Sequence, residues 1–339
     1  MEERFVIGID VGATKTRIGL GDVNGRIYVK QVYRTADIAH DLVDFVVDEV
    51  KKHFLSYVDK IVGVGVASIG PLDLRRGIIL SSPNAPLKNV EVVAELRERL
   101  GKKVLLVNDA VAAAWAEKVY GAGRGFRDLV YITLSTGIGA GVIVDNHLLL
   151  GKDGNAHEVG HIVVDYTGTM RCGCGGYGHW EAYCSGINIP EFVKRLLEEK
   201  YRDQLKSSLL HRGWCKNGLT TELLFDYAKQ GDALAAKIVE EEIGRLNAAG
   251  IASVVNCYDP EVVFLGGAIA LNNEELVMRP IAKYVEMYIT NRKPKVMITD
   301  LGEDASLRGA IAVVAKPPSS LIEYYKHYLG PSKDSWVEL

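Results

Sequence analysis

Two segments of this chain carry the residues best suited to hold phosphate, and they read as versions of one unit. The first is Phe5-Val-Ile-Gly-Ile-Asp10-Val-Gly12-Ala13-Thr14-Lys15-Thr16, and the second is Tyr131-Ile-Thr133-Leu-Ser135-Thr136-Gly137-Ile-Gly139-Ala-Gly141. A shift of 125 positions lays Asp10 on Ser135, Gly12 on Gly137, Thr14 on Gly139 and Thr16 on Gly141. Each reads as a buried strand, a tight turn of small residues and a second, alternating strand. A turn without large Cβ substituents lets backbone N–H groups close on an anion. Two such turns face to face would grip a polyphosphate from both sides, which is the chemistry of a nucleotide-dependent phosphotransferase. Asp10 at its strand end is placed to hold Mg²⁺ through water, since Mg²⁺ usually keeps several of its waters. Thr14 and Lys15 would touch the transferred phosphate, with Thr136 and Gly137 opposite. The plainer alternative is two ordinary hairpins with glycine turns. Neither segment is a G-x-x-x-x-G-K-[ST] loop, because the chain returns into a strand instead of opening a helix.

Asn108-Asp109 follows the apolar run 104–107 and precedes a helix. A carboxylate at a strand's carboxyl end lies at the mouth of the crevice where open α/β sheets bind ligands. There Asp109 would act as the general base that takes the proton of an attacking sugar hydroxyl. The competing role is that of a helix cap, which Asp also favours. Farther on, Cys172-x-Cys174 is followed by His179 and preceded by His161 of Glu158-x-x-His161. Two thiols and two imidazoles are the donor set of a tetrahedral Zn²⁺, and four protein ligands mark a structural site.

These groups need elements to position them. At 339 residues the chain is long enough for about two domains. The apolar share of 48% and charged share of 24% fit a soluble globular protein. A net charge of −3 gives no electrostatic case for nucleic acid. No apolar run reaches membrane-spanning length and no signal peptide is visible at the N-terminus. The five cysteines, an odd number with one tight pair, favour a reduced, cytoplasmic protein over a disulfide framework. After the first hairpin, 26–35 reads as a strand and 37–55 as a helix with an Asp N-cap candidate, Asp37. A strand at 62–67, a loop or hairpin at 71–80, a helix at 91–100, a strand at 104–107 and a helix at 110–119 follow. The unit restarts at 128. The glycine-, histidine- and cysteine-rich stretch 151–183 reads as a site-building insertion. Helices are expected at 189–201, 221–230 and 233–257, a strand at 261–265 ending in Gly266-Gly267, a helix at 274–289, a strand at 296–298 and a helix from 305. The polar, tyrosine-rich tail 317–339 reads as a surface appendage. Mixed strands and helices built twice over indicate two α/β domains related by duplication, with a ligand cleft between them.

On these motifs the chain resembles the ROK family of sugar kinases and repressors, within the actin-like ATPase superfamily, over roughly residues 4–316. The turn at Asp10–Thr16 resembles the family's first phosphate motif, with Ala13 where a second glycine is usual. The segment 134–141 resembles the second motif, and Asn108-Asp109 the pair whose Asp is the catalytic base. Glu158, His161, Glu181 and Asn84 resemble the family's sugar contacts. Gly266-Gly267 resembles the glycine pair beside the adenosine. The metal loop departs from pattern, since His179 stands where a final Cys is usual. In the family the counterpart of His161 both binds zinc and meets the sugar.

The resemblance implies two actin-like (ribonuclease H-like) α/β domains with an inter-domain cleft. The first, 1–110, is completed by a helix near 305–316; the second, 111–304, carries the zinc loop at 157–181. It implies phosphorylation of the 6-hydroxyl of glucose or a related aldohexose, with ATP, Mg²⁺ and structural Zn²⁺, in a homodimer or homotetramer. An N-acetylhexosamine kinase is the alternative within the class. A ROK repressor would need a DNA-reading module ahead of residue 4, and a filament or chaperone protein would not need Asp109 or the Glu-x-x-His cluster. The prolines of Ser82-Pro83-Asn84-Ala85-Pro86 stiffen this segment, so Asn84 is expected to read sugar positions 3 and 4 strictly, leaving position 2 more tolerant.

Overall fold

The computed structural model describes residues 3–81, 85–215 and 218–329. Two five-stranded sheets share one topology. In the first, β3 (Ile27–Arg34), β2 (Lys15–Asp22), β1 (Phe5–Val11), β4 (Ile61–Ser68) and β7 (Val104–Asn108) lie in that order. In the second the order is β10 (His147–Leu148), β9 (Ile138–Val144), β8 (Leu129–Leu134), β11 (Val262–Gly266) and β12 (Lys295–Ile298). Each opens with an antiparallel hairpin and continues with two parallel strands. The repeat read from the glycine turns is therefore a repeat of whole sheets. A small hairpin of β5 (Leu72–Asp73) and β6 (Ile78–Ile79) hangs from the first sheet.

Apolar alternation on β8 separates two faces. Leu129 and Tyr131 join one core, while Val130, Ile132 and Leu134 join another. β11 splits likewise, with Val262 and Phe264 against Val263 and Leu265. Successive strand side chains point to opposite faces, so a strand that is apolar throughout must be covered on both.

The shared middle layer consists of two helices that carry the chain between the sheets. The first crossing helix, Asp109–Val119, leaves β7 of the first sheet and packs on β8 and β9 of the second. The return helix, Ala305–Ala315, leaves the second sheet and packs on β1, β2 and β4 of the first. The two helices also pack on each other. Glycine makes this spacing possible: a Cβ at Gly65 would lie 1.7 Å from the Ala310 carbonyl oxygen, and one at Gly309 would lie 2.0 Å from that of Ala112.

Three expectations change. The segment 37–55 is not one helix capped by Asp37. Asp37 lies inside a short turn of helix, Thr35–Ile38, and the main helix is Leu42–Phe54, with Asp41 at its N-cap making no side-chain cap bond. The helix 233–257 contains a π-helical turn at Ile238–Ile243. The tail is packed, not a surface appendage, over Ser319–Leu329: this helix buries Leu321, Tyr324 and Tyr325. Its polarity misled because tyrosine buries a ring while its hydroxyl keeps a hydrogen bond.

Gly65→Ala is expected to destabilise the protein by about 1–3 kcal/mol or more, the usual range for overpacking a filled interior. Gly101→Ala, at φ 61° with nothing within 4 Å, should cost only the left-handed penalty of about 1–2 kcal/mol. Denaturant midpoints of the two variants measure the difference.

Candidate active site and metal cluster

The β1–β2 turn is closed by Gly12 N–H donating to the Lys15 carbonyl at 3.0 Å. Thr35 fastens it from outside: its hydroxyl donates to the Gly12 carbonyl at 2.7 Å, and its N–H to the Thr14 carbonyl at 3.0 Å. In the β8–β9 turn Ser135 N–H donates to the Gly137 carbonyl at 3.0 Å, and Gly186 and Ile187 N–H groups hold Ser135 and Thr136 from behind. The two turns meet. Thr14 Oγ1 lies 3.3 Å from Thr136 Oγ1, across 122 residues of chain.

Asp10 is buried at the end of β1. Its carboxylate is not free, since Arg17 Nη1 donates to Oδ2 at 3.0 Å. Burial still pushes its pKa up to about 7, against the lowering effect of Arg17 and with a further raise from Asp109. Arg17 Nη2 also reaches Glu303 Oε2 at 3.2 Å, and Lys15 Nζ lies 3.8 Å from the same oxygen. Arg17 and Glu303 were missed in the sequence. For Arg17 a signal existed, because it sits directly across the hairpin from Asp10. Glu303 joins the site only through the return of the chain from the second sheet.

At the end of β7 the two neighbours divide their roles. Asn108 is the N-cap, its Oδ1 accepting from Ala110 N–H at 2.9 Å and Val111 N–H at 3.3 Å. Asp109 is the first helical residue, and its Oδ1 takes a second bond from Ala110 N–H at 2.8 Å. Burial raises its pKa to about 6, opposed only by backbone N–H groups. A carboxyl with no cation beside it and a raised pKa is suited to accept a proton near neutrality.

Glu158 meets this pair at Gly70. A Cβ there would lie 3.2 Å from Glu158 Oε1 and 3.6 Å from Asn108 Nδ2. Burial raises the Glu158 pKa; His161 lowers it, and Asp109 and Glu181 raise it further. His161 Nε2 faces Glu158 Oε2 at 3.7 Å, while its Nδ1 faces Cys172 Sγ at the same distance. Glu181 is buried, with Oε2 accepting from Ile138 N–H at 2.8 Å and Oε1 3.7 Å from Cys172 Sγ. Asn84 lies outside the described residues.

The metal-type residues converge. One donor atom each from His161, Cys172, Cys174 and His179 lies within 4.8 Å of the other three. Cys174 Sγ and His179 Nδ1 are 3.3 Å apart, and a tight turn (Gly175 N–H to Cys172 carbonyl, Cys172 N–H to Gly176 carbonyl) folds the two thiols together. Burial lowers the His179 pKa, as does His161 beside it, while Glu181 raises it; a lowered pKa favours the neutral ring, the form that ligates metal. The spacing suits a tetrahedral ion.

Gly266 and Gly267 sit where β11 passes into a short helix. Both are demanded by packing: a Cβ on Gly266 would strike the Tyr131 hydroxyl at 1.9 Å, and Gly267 has φ 84° with its Cβ position 2.5 Å from the Leu134 carbonyl oxygen. They thus lie directly behind the second phosphate-type hairpin.

The profile of the ROK family matches residues 6–316. The chain is 38% identical over 335 residues to a glucokinase of Aeropyrum pernix, covering 93% of this chain and 98% of that one. It is 36% identical over 323 residues to a glucokinase of Pyrobaculum calidifontis, covering 94% and 97%. Among solved structures it matches a ROK family glucokinase from Streptomyces griseus in complex with glucose and AMPPNP, with TM-score 0.75, 31% identity and coverage of 91% and 98%.

Asp109→Asn is expected to stabilise the ligand-free protein at neutral pH. The Asp109 pKa is raised from 3.8 to about 6 on folding, so the native state binds its proton more tightly than the unfolded chain does. Ionising it therefore weakens the fold as pH rises from about 4 to about 6, with no further change above. The amide removes that cost, worth about 1–3 kcal/mol. The stability difference between variant and parent, followed by denaturation from pH 3 to pH 8, should open over that window and then stay level.

Proposed function

The chain belongs to the ROK family, and from that premise we propose that it is a glucokinase, transferring the γ-phosphoryl group of ATP to the 6-hydroxyl of glucose or a related aldohexose. One observation carries the reading: two phosphate-type hairpins meet, Thr14 Oγ1 at 3.3 Å from Thr136 Oγ1, near Asp109, whose carboxyl has no cation bonded to it among the described residues.

In this reading the backbone N–H groups of both turns, with Thr14 and Thr136, hold the nucleotide phosphates, and Lys15 leaves Glu303 for the transferred group. Asp10 suits a water-mediated Mg²⁺ site: Arg17 holds one oxygen, leaving the other to accept from a metal-bound water. The metal supplies charge that neutralises the transferring phosphoryl group. Asp109 orients the sugar hydroxyl and takes its proton. Asn108, Glu158, His161, Glu181 and Asn84 hold the sugar, and Gly266 and Gly267 give the adenosine a close approach. Closure of the two lobes excludes water that would compete for the phosphoryl group.

The donor set His161, Cys172, Cys174 and His179 fits Zn²⁺ in a closed, structural site. His161 would give Nδ1 to the metal and so present Nε2 to Glu158 and the sugar, a ligand oriented by its metal. The remaining parts of the reading are a cytoplasmic homodimer or homotetramer, and a first domain of 1–110 completed by the return helix. No helix among the described residues is long and apolar enough to cross a membrane.

A coupled assay with Mg-ATP over glucose, mannose, glucosamine, N-acetylmannosamine, N-acetylglucosamine and galactose tests the function. Glucose and at least one hexose altered at position 2 should react, and galactose poorly. Reaction with an acetylated sugar alone would replace the glucokinase reading by an N-acetylhexosamine kinase. Asp109→Asn should lose at least about 10²-fold in kcat, the low end for removal of a general base, with little change in sugar affinity.

Elemental analysis should find about one zinc per chain, the stoichiometry of a closed four-ligand site. Cys172→Ser or Cys174→Ser should release it and weaken sugar binding together. Substoichiometric zinc together with unimpaired activity after chelation would rule the zinc site out.

A further inference from the structure

The tail helix Ser319–Leu329 lies beyond the 6–316 match to the family, yet it is joined to the active-site framework at two points. The buried Tyr325 hydroxyl lies 3.3 Å from the Leu106 carbonyl and 3.5 Å from its N–H, on β7 just before Asn108. One residue earlier, the Tyr324 hydroxyl donates to the Lys152 carbonyl at 2.9 Å. The same carbonyl takes Nε and Nη2 of Arg75 at 3.1 and 2.8 Å. Arg75 comes from the β5–β6 turn, its guanidinium stacked 4.0 Å from the Tyr328 ring centroid and 3.4 Å from the Asp153 carboxylate. Two distant parts of the chain, the tail helix and the β5–β6 turn, therefore converge on one peptide group.

That peptide group begins the segment that ends in Glu158. Asn155 docks the segment on the hairpin: its Oδ1 accepts from Leu72 N–H at 3.2 Å, and its Nδ2 donates to the Leu72 carbonyl at 3.0 Å. His157 Nε2 lies 2.9 Å from the Gly154 carbonyl and is buried. Glu158 then emerges beside Gly70 and Asn108, two residues before Leu72 on the facing strand end. None of 152–158 is helix or strand, so its place depends on these side-chain bonds together with backbone bonds from Ala156 N–H to the Leu150 carbonyl at 3.1 Å and from Leu74 N–H to the Asp153 carbonyl at 3.5 Å.

We infer that Tyr324 and Arg75 are positioning residues for the sugar site: by gripping the Lys152 carbonyl they hold segment 152–158 against the β5–β6 hairpin and set Glu158 beside Asn108. Their catalytic consequence rests on the sugar-kinase reading; their grip does not. The nucleotide turns hang from β1–β2 and β8–β9, and among the described residues no hydrogen bond joins them to Lys152, Arg75 or Tyr324. Loosening it should therefore weaken sugar binding and leave nucleotide binding intact.

The test uses Tyr324→Phe and Arg75→Met in the full chain, with Arg75→Lys as a partial rescue that keeps one donor without the fork. Tyr324→Phe keeps the buried ring, so the fold should persist. Hydrogen exchange of the backbone amides of 152–158 should be faster in Tyr324→Phe and Arg75→Met than in the parent and intermediate in Arg75→Lys. The KM for glucose should rise roughly 3- to 10-fold, the size of one lost hydrogen bond, while the KM for ATP changes less than about 2-fold. Unchanged exchange over 152–158 would overturn the inference, as would equal rises in both KM values. If the parent phosphorylates no hexose, the kinase reading fails, and the exchange comparison alone still decides whether Tyr324 and Arg75 hold the segment.

Discussion

The contact on which the rest depends is the crossing of the two middle helices. Asp109–Val119 and Ala305–Ala315 each start from one sheet and pack on the other, and they approach so closely that Gly309 has no room for a Cβ over Ala112. Two carboxylates of the candidate site, Asp109 and Asp10, are tied to this crossing. Asp109 opens the first helix. Glu303 lies just before the second and holds Arg17, which holds Asp10. The two ends of the crossing are tied again by Glu117, buried without exposure, whose carboxylate accepts from the Thr299 hydroxyl and from Ala122 N–H. Relative motion of the sheets would pivot on these two helices, carrying Asp10 and Asp109, both at strand ends of the first sheet, together against the β8–β9 turn of the second. A cleft that closes on its ligands is the natural use of such a joint.

The electrostatics of the cleft follow from where the carboxylates are buried. Asp10, Asp109, Glu158 and Glu181 form a chain of neighbours: Asp109 raises the pKa of Asp10 and of Glu158, and Glu181 raises that of Glu158 as well. Arg17 is the only cation bonded to any of them at hydrogen-bond distance among the described residues. A bare polyphosphate entering such a place meets like charge. A metal-bound nucleotide does not, because the ion brings the missing positive charge to Asp10. In the kinase reading a divalent cation is called for by the charge of the cleft as much as by phosphoryl transfer, and Arg17 on Asp10 serves the same end: without it the carboxyl would hold its proton more strongly and lose the lone pairs a metal-bound water needs.

The glycine turns, the strands behind them and the duplication were legible because each leaves a local signal of period two and small residues. The convergence of His161, Cys172, Cys174 and His179 was legible because the four are close in sequence. Asp109 was legible as a candidate but not its division of labour with Asn108, which depends on which side chain turns back to the helix N-terminus. Arg17 could have been found from the hairpin register alone. Glu303, Thr35, Gly70, Tyr324 and Arg75 could not, since each acts on a partner far along the chain and none has a motif of its own. The tail was misread for the same reason: its tyrosines look polar until the carbonyls of Leu106 and Lys152 are placed beneath their hydroxyls.

The metal cluster and the catalytic cleft are joined by single atoms. His161 spans them, with Nδ1 toward Cys172 and Nε2 toward Glu158. Glu181 spans them too, one oxygen beside Cys172 and the other taking Ile138 N–H at the start of β9. Ile138 follows Gly137 of the second phosphate-type turn. A displacement of the Cys172 loop would therefore travel by one route to the sugar side of the cleft and by the other to the phosphate side. An ion holding four donors within 4.8 Å of one another stiffens both routes at once, because it fixes the His161 ring and the thiol against which Glu181 rests. In the kinase reading, a metal held there would act outside the reacting atoms, keeping the Glu158 side of the cleft and the second phosphate-type turn in one register.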